Sequence, residues 1–302
     1  MGPLGIFTAT LHRPRSSALG LGLAALLLAT SCSSADHADS STANAPRTTS
    51  DATATGTADV GDDNSIERLV PRVIATHPFS AESFTQGLEF AADGSLLVGT
   101  GQWGESRIYR AELTTHEIAE HHELADEFFG EGITHTGEKI WQLTWQAGEA
   151  IERDPQSLEE IGRAHYDGEG WGICARDGEL LVSDGSATVV KRDPDTFELL
   201  DGAELQVTAK GAAVDKINEL ECVGDSVYAN RFLTDEIIRF SAITGEVDAI
   251  IDASSLKNNA VADPNHVLNG IAFDQRSGHF FFTGKRWPDL YEVEFVADPA
   301  HH

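Results

Sequence analysis

The sequence predicts an all-β fold, a five-bladed β-propeller of four-stranded blades whose ring is closed by an N-terminal strand. Three observations carry this. A short phrase recurs five times, as Gln86-Gly87-Leu88-Glu89-Phe90, Glu131-Gly132-Ile133-Thr134-His135, Trp171-Gly172-Ile173-Cys174-Ala175, Asn218-Glu219-Leu220-Glu221-Cys222 and Asn269-Gly270-Ile271-Ala272-Phe273. The starts lie 45, 40, 47 and 51 residues apart, the period of propeller blades and not of helical solenoids. Each phrase leads through a Gly/Asp-rich turn into a second apolar strand, and a second repeat then supplies a third and a fourth strand.

Taken in order, each phrase is the innermost strand of a blade. The turns that follow, Ala92-Asp93-Gly94, Thr136-Gly137-Glu138, Arg176-Asp177-Gly178, Val223-Gly224-Asp225 and Arg276-Ser277-Gly278, have the composition of tight hairpins, whose backbone needs positive φ. Leu96-Leu97-Val98, Ile140-Trp141-Gln142-Leu143, Leu180-Leu181-Val182, Ser226-Val227-Tyr228 and Phe280-Phe281-Phe282 read as second strands from their β-branched, aromatic and leucine content. Third strands begin at Ile108, Ile151, Val190 and Ile238, and fourth strands near Glu117-Ile118, Glu160-Ile161, Leu199-Leu200 and Glu246-Val247. The fifth unit shows only three strands, the last through Leu290-Tyr291-Glu292-Val293. Residues 68–76 are expected to complete it, so that closure leaves only short, protected edges. A ring closed in this way needs no partner, and a monomer is expected.

Residues 1–31 read as a signal peptide: Arg13 and Arg15 precede an Ala/Leu/Gly run too short to span a bilayer, then Thr30-Ser31-Cys32. Cys32 after small residues resembles a bacterial lipoprotein cleavage site, which predicts lipidation there, with ordinary secretion as the alternative. Residues 32–65 are Ser, Thr, Ala, Asp and Gly with almost no bulky apolar side chain, a disordered tether that cannot offset its own chain entropy. The propeller is assigned to residues 66–298. A net charge of −28 without a basic stripe argues against nucleic acid and against anionic membrane surfaces, leaving a lipid anchor at Cys32 as the only expected membrane link. Cys174 and Cys222 could pair in an exported protein, but they stand at adjacent offsets on neighbouring inner strands, so their side chains are expected on opposite sheet faces and two buried free thiols are the favoured reading.

The candidate site follows from the repeat. Equivalent positions in a ring form a circle, so Gln86, Glu131, Trp171, Asn218 and Asn269 should converge at one mouth of the channel. Each hairpin returns the end of its second strand beside the start of its first, which adds Trp145, Asn230 and Lys285, while Gly99, Gly101 and Gly284 leave room. Taken singly, a Trp in a β-protein is usually core and a Glu in a loop is usually solvated. Here equivalent positions differ chemically while their flanks agree, and function favours such difference where packing favours similarity. The 12 His show no metal-ligand spacing, and neither a phosphate loop nor a G-x-S-x-G elbow occurs, so no metal and no cofactor are expected.

Phe84-Thr85-Gln86-Gly87-Leu88, Phe129-Gly130-Glu131-Gly132-Ile133-Thr134, Leu143-Thr144-Trp145, Glu169-Gly170-Trp171-Gly172, Ile217-Asn218-Glu219-Leu220-Glu221, Tyr228-Ala229-Asn230, Leu268-Asn269-Gly270-Ile271 and Thr283-Gly284-Lys285-Arg286-Trp287-Pro288 resemble the plant and bacterial glutamine cyclotransferases, over about residues 76–294. The resemblance implies a five-bladed propeller that converts the N-terminal glutamine of peptides or proteins to pyroglutamate and releases ammonia. Where family members often carry Trp, this chain has Phe232. The chemistry fits the rim: cyclisation brings an amine to an amide carbon, develops charge on the amide oxygen and protonates a leaving nitrogen. Glu131 is the expected proton shuttle, Lys285 with Asn218 or Gln86 the expected support for the oxyanion, and Phe84, Phe129, Trp145, Trp171 and Phe232 the expected walls, with Asn269 in the substrate-binding set. Two other readings stay open, a non-catalytic exported propeller that binds peptides or proteins and a lactonase-like hydrolase built on a metal.

Overall fold

The computed structural model describes residues 66–301, so the leader, Cys32 and the tether lie outside the described residues. Strand β1 (Glu67–Pro78) precedes the first unit, β2 (Thr85–Phe90), β3 (Leu96–Thr100), β4 (Arg107–Ala111) and β5 (Ile118–Glu123). The second unit is β6 (Gly130–His135), β7 (Ile140–Thr144), β8 (Glu149–Arg153) and β9 (Glu160–His165), and the third is β10 (Ile173–Arg176), β11 (Glu179–Ser183), β12 (Thr188–Arg192) and β13 (Leu199–Gln206). A short ribbon, β14 (Thr208–Ala209) and β15 (Ala212–Ala213), leads to the fourth unit: β16 (Ile217–Val223), β17 (Ser226–Arg231), β18 (Glu236–Ser241) and β19 (Val247–Asp252). The fifth is β20 (Leu268–Asp274), β21 (His279–Gly284) and β22 (Asp289–Ala297).

Within each unit the strands pair antiparallel in chain order. β1 lies antiparallel against β22 from Leu69↔Ala297 to Pro78↔Asp289, the expected fourth strand of the last unit. It also does something the repeat does not announce. Its first residues pair in parallel with β19, Glu67↔Ala249 to Leu69↔Ile251, and merge the fourth and fifth units into one eight-stranded sheet.

The core is distributed as wedges between consecutive units. Leu97 and Ile108 meet Ile133 and Ile140; Trp141 and Leu143 meet Leu180 and Phe197; Leu181 and Val189 meet Leu220 and Phe240. Tyr228 and Ile237 meet Phe280 and Phe282, and Leu88 and Val98 meet Ala272 and Phe281, which returns the packing to the first unit and completes the propeller ring. Inner strands approach closely enough to require glycine in the phrase. A Cβ on Gly132 would stand 2.8 Å from Trp171 O, and one on Gly172 would stand 2.1 Å from Asn218 O. Where the fourth copy has Glu219 instead, its buried carboxyl accepts N–H groups of Leu88 (3.2 Å) and Ile271 (2.8 Å), tying three units together.

Cys174 and Cys222 form a disulfide, with Cα atoms 5.5 Å apart, and are not two free thiols. Alternation along a strand separates the two faces of one sheet, but these residues belong to separate sheets that face each other. The side of β10 turned toward the fourth unit and the side of β16 turned toward the third are opposite faces of their own sheets. Opposite parity is what brings the two sulfurs together.

Candidate active site

The side chains that lead each phrase reach the channel mouth because the inner strands bulge there. Register shifts by one residue between Thr85 and Gly87, Gly130 and Ile133, Ile217 and Leu220, and Leu268 and Ile271. In the third unit the Trp171 N–H and the Gly172 carbonyl both bond Ser183, the same two-against-one arrangement. A bulge re-aims a side chain out of the strand's alternation, and here it does so around the ring. The hairpin logic also holds: Trp145 N donates to Phe129 O, and Lys285 N to Val267 O, each at 2.9 Å.

Four of the five phrase positions form one hydrogen-bonded arc. Asn218 Nδ2 donates to Asn269 Oδ1 at 2.9 Å, Asn269 Nδ2 to Gln86 Oε1 at 3.1 Å, and Gln86 Nε2 to Glu131 Oε1 at 3.1 Å. All four are buried. Inside the arc is a cavity of about 280 Å³ lined by Phe84, Gln86, Gln102, Phe129, Glu131, Trp145, Trp171, Asn218, Phe232, Asn265 and Lys285. The Lys285 ammonium lies between ring faces, 5.0 Å from the Phe84 centroid and 4.9 Å from that of Phe232. Phe129 meets Phe84 edge-on at 6.2 Å and Trp145 at 5.6 Å, and Trp171 meets Phe232 at 5.4 Å.

This environment sets the ionisation of the pair. Burial pushes the Glu131 carboxyl well above the ordinary range, against the pull of the Lys285 charge and with added push from Glu169. Burial also pulls the Lys285 amine down to about 8, against the attraction of Glu131. A carboxyl held above and an amine held below their ordinary ranges, facing one aromatic cavity, can exchange protons with a bound nitrogen.

Residues 43–295 match the model of the family described as Glutamine cyclotransferase. The chain belongs to the glutamine cyclotransferase family. A glutaminyl-peptide cyclotransferase of Arabidopsis thaliana is 32% identical over 226 residues, 74% of this chain and 70% of that protein. The crystal structure of Myxococcus xanthus glutaminyl cyclase is 34% identical, with a TM-score of 0.73 over 78% of this chain and 100% of that one.

In this member of the glutamine cyclotransferase family, Phe84, Gln86, Phe129, Glu131, Trp145, Trp171, Asn218, Phe232 and Lys285 all line the one cavity. Asn269 does not; it bridges Asn218 and Gln86 from behind. Asn230 turns away, its Oδ1 accepting the Gly270 N–H at 3.0 Å. The rim glycines do not leave space for a ligand. A Cβ on Gly101 would stand 2.2 Å from the Phe129 ring and one on Gly284 2.4 Å from Trp287, so neighbouring aromatics already occupy that room. Gln102 and Asn265 come from loops outside the repeat and carry no signal in the sequence. Glu169 is different: its Oε2 accepts both indole N–H groups, Trp145 at 2.8 Å and Trp171 at 3.0 Å, and Oε1 accepts Gln146 at 3.0 Å. Its place two residues before Trp171 was the available clue.

Proposed function

We propose that this protein cyclises the N-terminal glutamine of peptides or proteins to pyroglutamate and releases ammonia, with Glu131 as proton shuttle and no metal in the reaction. The observation that supports the reading most is the buried Glu131 and Lys285 sharing one small aromatic cavity in a glutamine cyclotransferase family member. The α-amine, once neutral, attacks the γ-amide carbon. Glu131 takes its proton as the ring C–N bond forms, and returns that proton to the amide nitrogen as the C–NH2 bond breaks and ammonia leaves. Lys285 and Asn218 support the amide oxygen while it carries negative charge. The aromatic walls exclude water and hold the glutamine side chain folded back on its own amine.

The described residues that line the cavity include one carboxylate and no His or Cys, a donor set that suits proton transfer better than a zinc or calcium site. The test incubates purified protein with a Gln-initiated peptide, with and without excess chelator. Equal ammonia release in both is expected; loss on chelation with recovery on adding zinc would overturn the metal-free mechanism. Residues 1–31 are proposed to direct export, with Cys32 lipidated, residues 32–65 serving as tether and the propeller acting as a monomer. Membrane-associated protein that becomes soluble on Cys32→Ala is the expected outcome. Wild type free in the medium with another mature N-terminus would count against it.

A further inference from the structure

The aromatic wall of the cavity continues past its mouth. Trp103 meets Phe129 edge-on, ring centroids 5.7 Å apart, and is 50% exposed. A single exposed tryptophan is ordinary; this one stands on a loop clamped to both halves of the site. The Ser106 hydroxyl donates to Gln102 O at 2.7 Å and accepts the N–H of Gly130, the neighbour of Glu131, at 2.9 Å. On the other side the Glu105 carboxylate pairs at 2.7 Å with Arg286, the neighbour of Lys285, and Arg286 also donates to Glu82 O. Between these clamps Gln102 lines the cavity at φ 99, a backbone state that a residue with a side chain holds only when its surroundings enforce it.

An aromatic face on a braced loop beside the cavity wall is suited to receive a ligand, because less conformational freedom remains to be lost on binding. On the reading that the cavity takes an N-terminal glutamine, the chain leaves the cavity through its carbonyl, and the next residue emerges at the mouth. We propose that Trp103 seats the side chain of that second residue, so that the protein selects peptides in which aromatic or bulky aliphatic residues follow the glutamine. Asp126 stands beside Gly104 of the Trp103 loop, so an acidic second residue meets like charge there.

The experiment measures ammonia release from Gln-Phe-Ala, Gln-Gly-Ala and Gln-Glu-Ala amides by wild type, Trp103→Ala and Trp103→Phe. Wild type should favour Phe over Gly by about tenfold in kcat/KM, mostly through KM, with Glu poorest. Trp103→Ala should bring the Phe/Gly ratio to within about twofold, and Trp103→Phe should keep most of it. Equal use of the peptides by wild type overturns the seat and leaves the cyclisation reading standing. So does a Trp103→Ala variant that keeps the tenfold ratio while all three rates fall together, which marks a structural role. No ammonia from any peptide with wild type sinks the cyclisation reading and this inference with it.

Discussion

Glu131 and Lys285 are opposite charges that burial discourages from being charged at all, and the proposed chemistry uses that tension. Glu131→Gln keeps size and the hydrogen bond to Gln86 but cannot carry a proton, so turnover should fall by about 100-fold or more with a smaller change in binding. Turnover of a well-folded variant within a few-fold of wild type would assign the shuttle to another group. Lys285 ionises near 8, so as pH rises through that value its positive charge, and with it the support for the developing oxyanion, is lost. The pH profile of kcat should therefore fall above about pH 8, and Lys285→Arg should flatten that limb because a guanidinium keeps its charge. Glu169 does not line the cavity of Glu131 and Lys285, yet it holds both indoles and pushes Glu131 upward. Glu169→Gln should move the Glu131 limb to lower pH; Glu169→Ala should also raise KM several-fold as Trp145 and Trp171 lose their anchor. An unchanged limb in both variants would remove Glu169 from the electrostatics of the site.

At the scale of elements, the units were legible because each repeats one pattern of phrase, turn and strand. Gln86, Glu131, Trp171 and Asn218 could be picked out because they differ where their flanks agree. What escaped involves pieces that no single repeat contains. The parallel seam between β1 and β19 joins two sheets, and the cysteine bridge obeys the geometry of facing sheets instead of alternation along one strand. Gln102, Asn265 and Trp103 sit in loops free to differ from unit to unit. The bridge spans 48 residues and fastens neighbouring units, so its loss should cost about 2–4 kcal/mol and lower Tm by about 5–10 °C. Melting Cys174→Ala/Cys222→Ala beside the wild type, with and without reductant, checks this; reductant should not affect the double variant. Deleting through Thr76 removes most of the pairing with β22 and should give aggregated protein, whereas deleting through Ser65 should be nearly neutral. Equal loss of folding in both would refute the closing role of β1.

For the whole molecule, the interior carries an acid load of its own. Burial raises Glu89 to about 7 and holds Glu219 and Glu221 well above the carboxylate range, Glu221 with a further push from Glu89 and Glu219. The folded state thus binds protons at pH values where the unfolded chain has released them. Stability should fall as pH rises from about 4.5 through 7, the same direction as self-repulsion at a net charge of −28. A thermal-melt series over that range should show the decline, and Glu89→Gln should lessen it. A Tm that climbs from pH 5 to 8 would show that these carboxyls ionise freely inside the fold.

The double attachment of β1 also has a consequence in time. β1 is synthesised before every other strand, yet its neighbours are β19 and β22, from the last two units to be made. Units one to four can form hairpins as they emerge, but the eight-stranded sheet cannot exist until the far end of the chain is available. Until the fifth unit is made the ring therefore stays open and β1 lacks its long antiparallel partner, β22. The cavity, which takes Gln86 from the first unit and Lys285 from the last, is complete only once the far end of the chain has joined the ring begun by its first described strand.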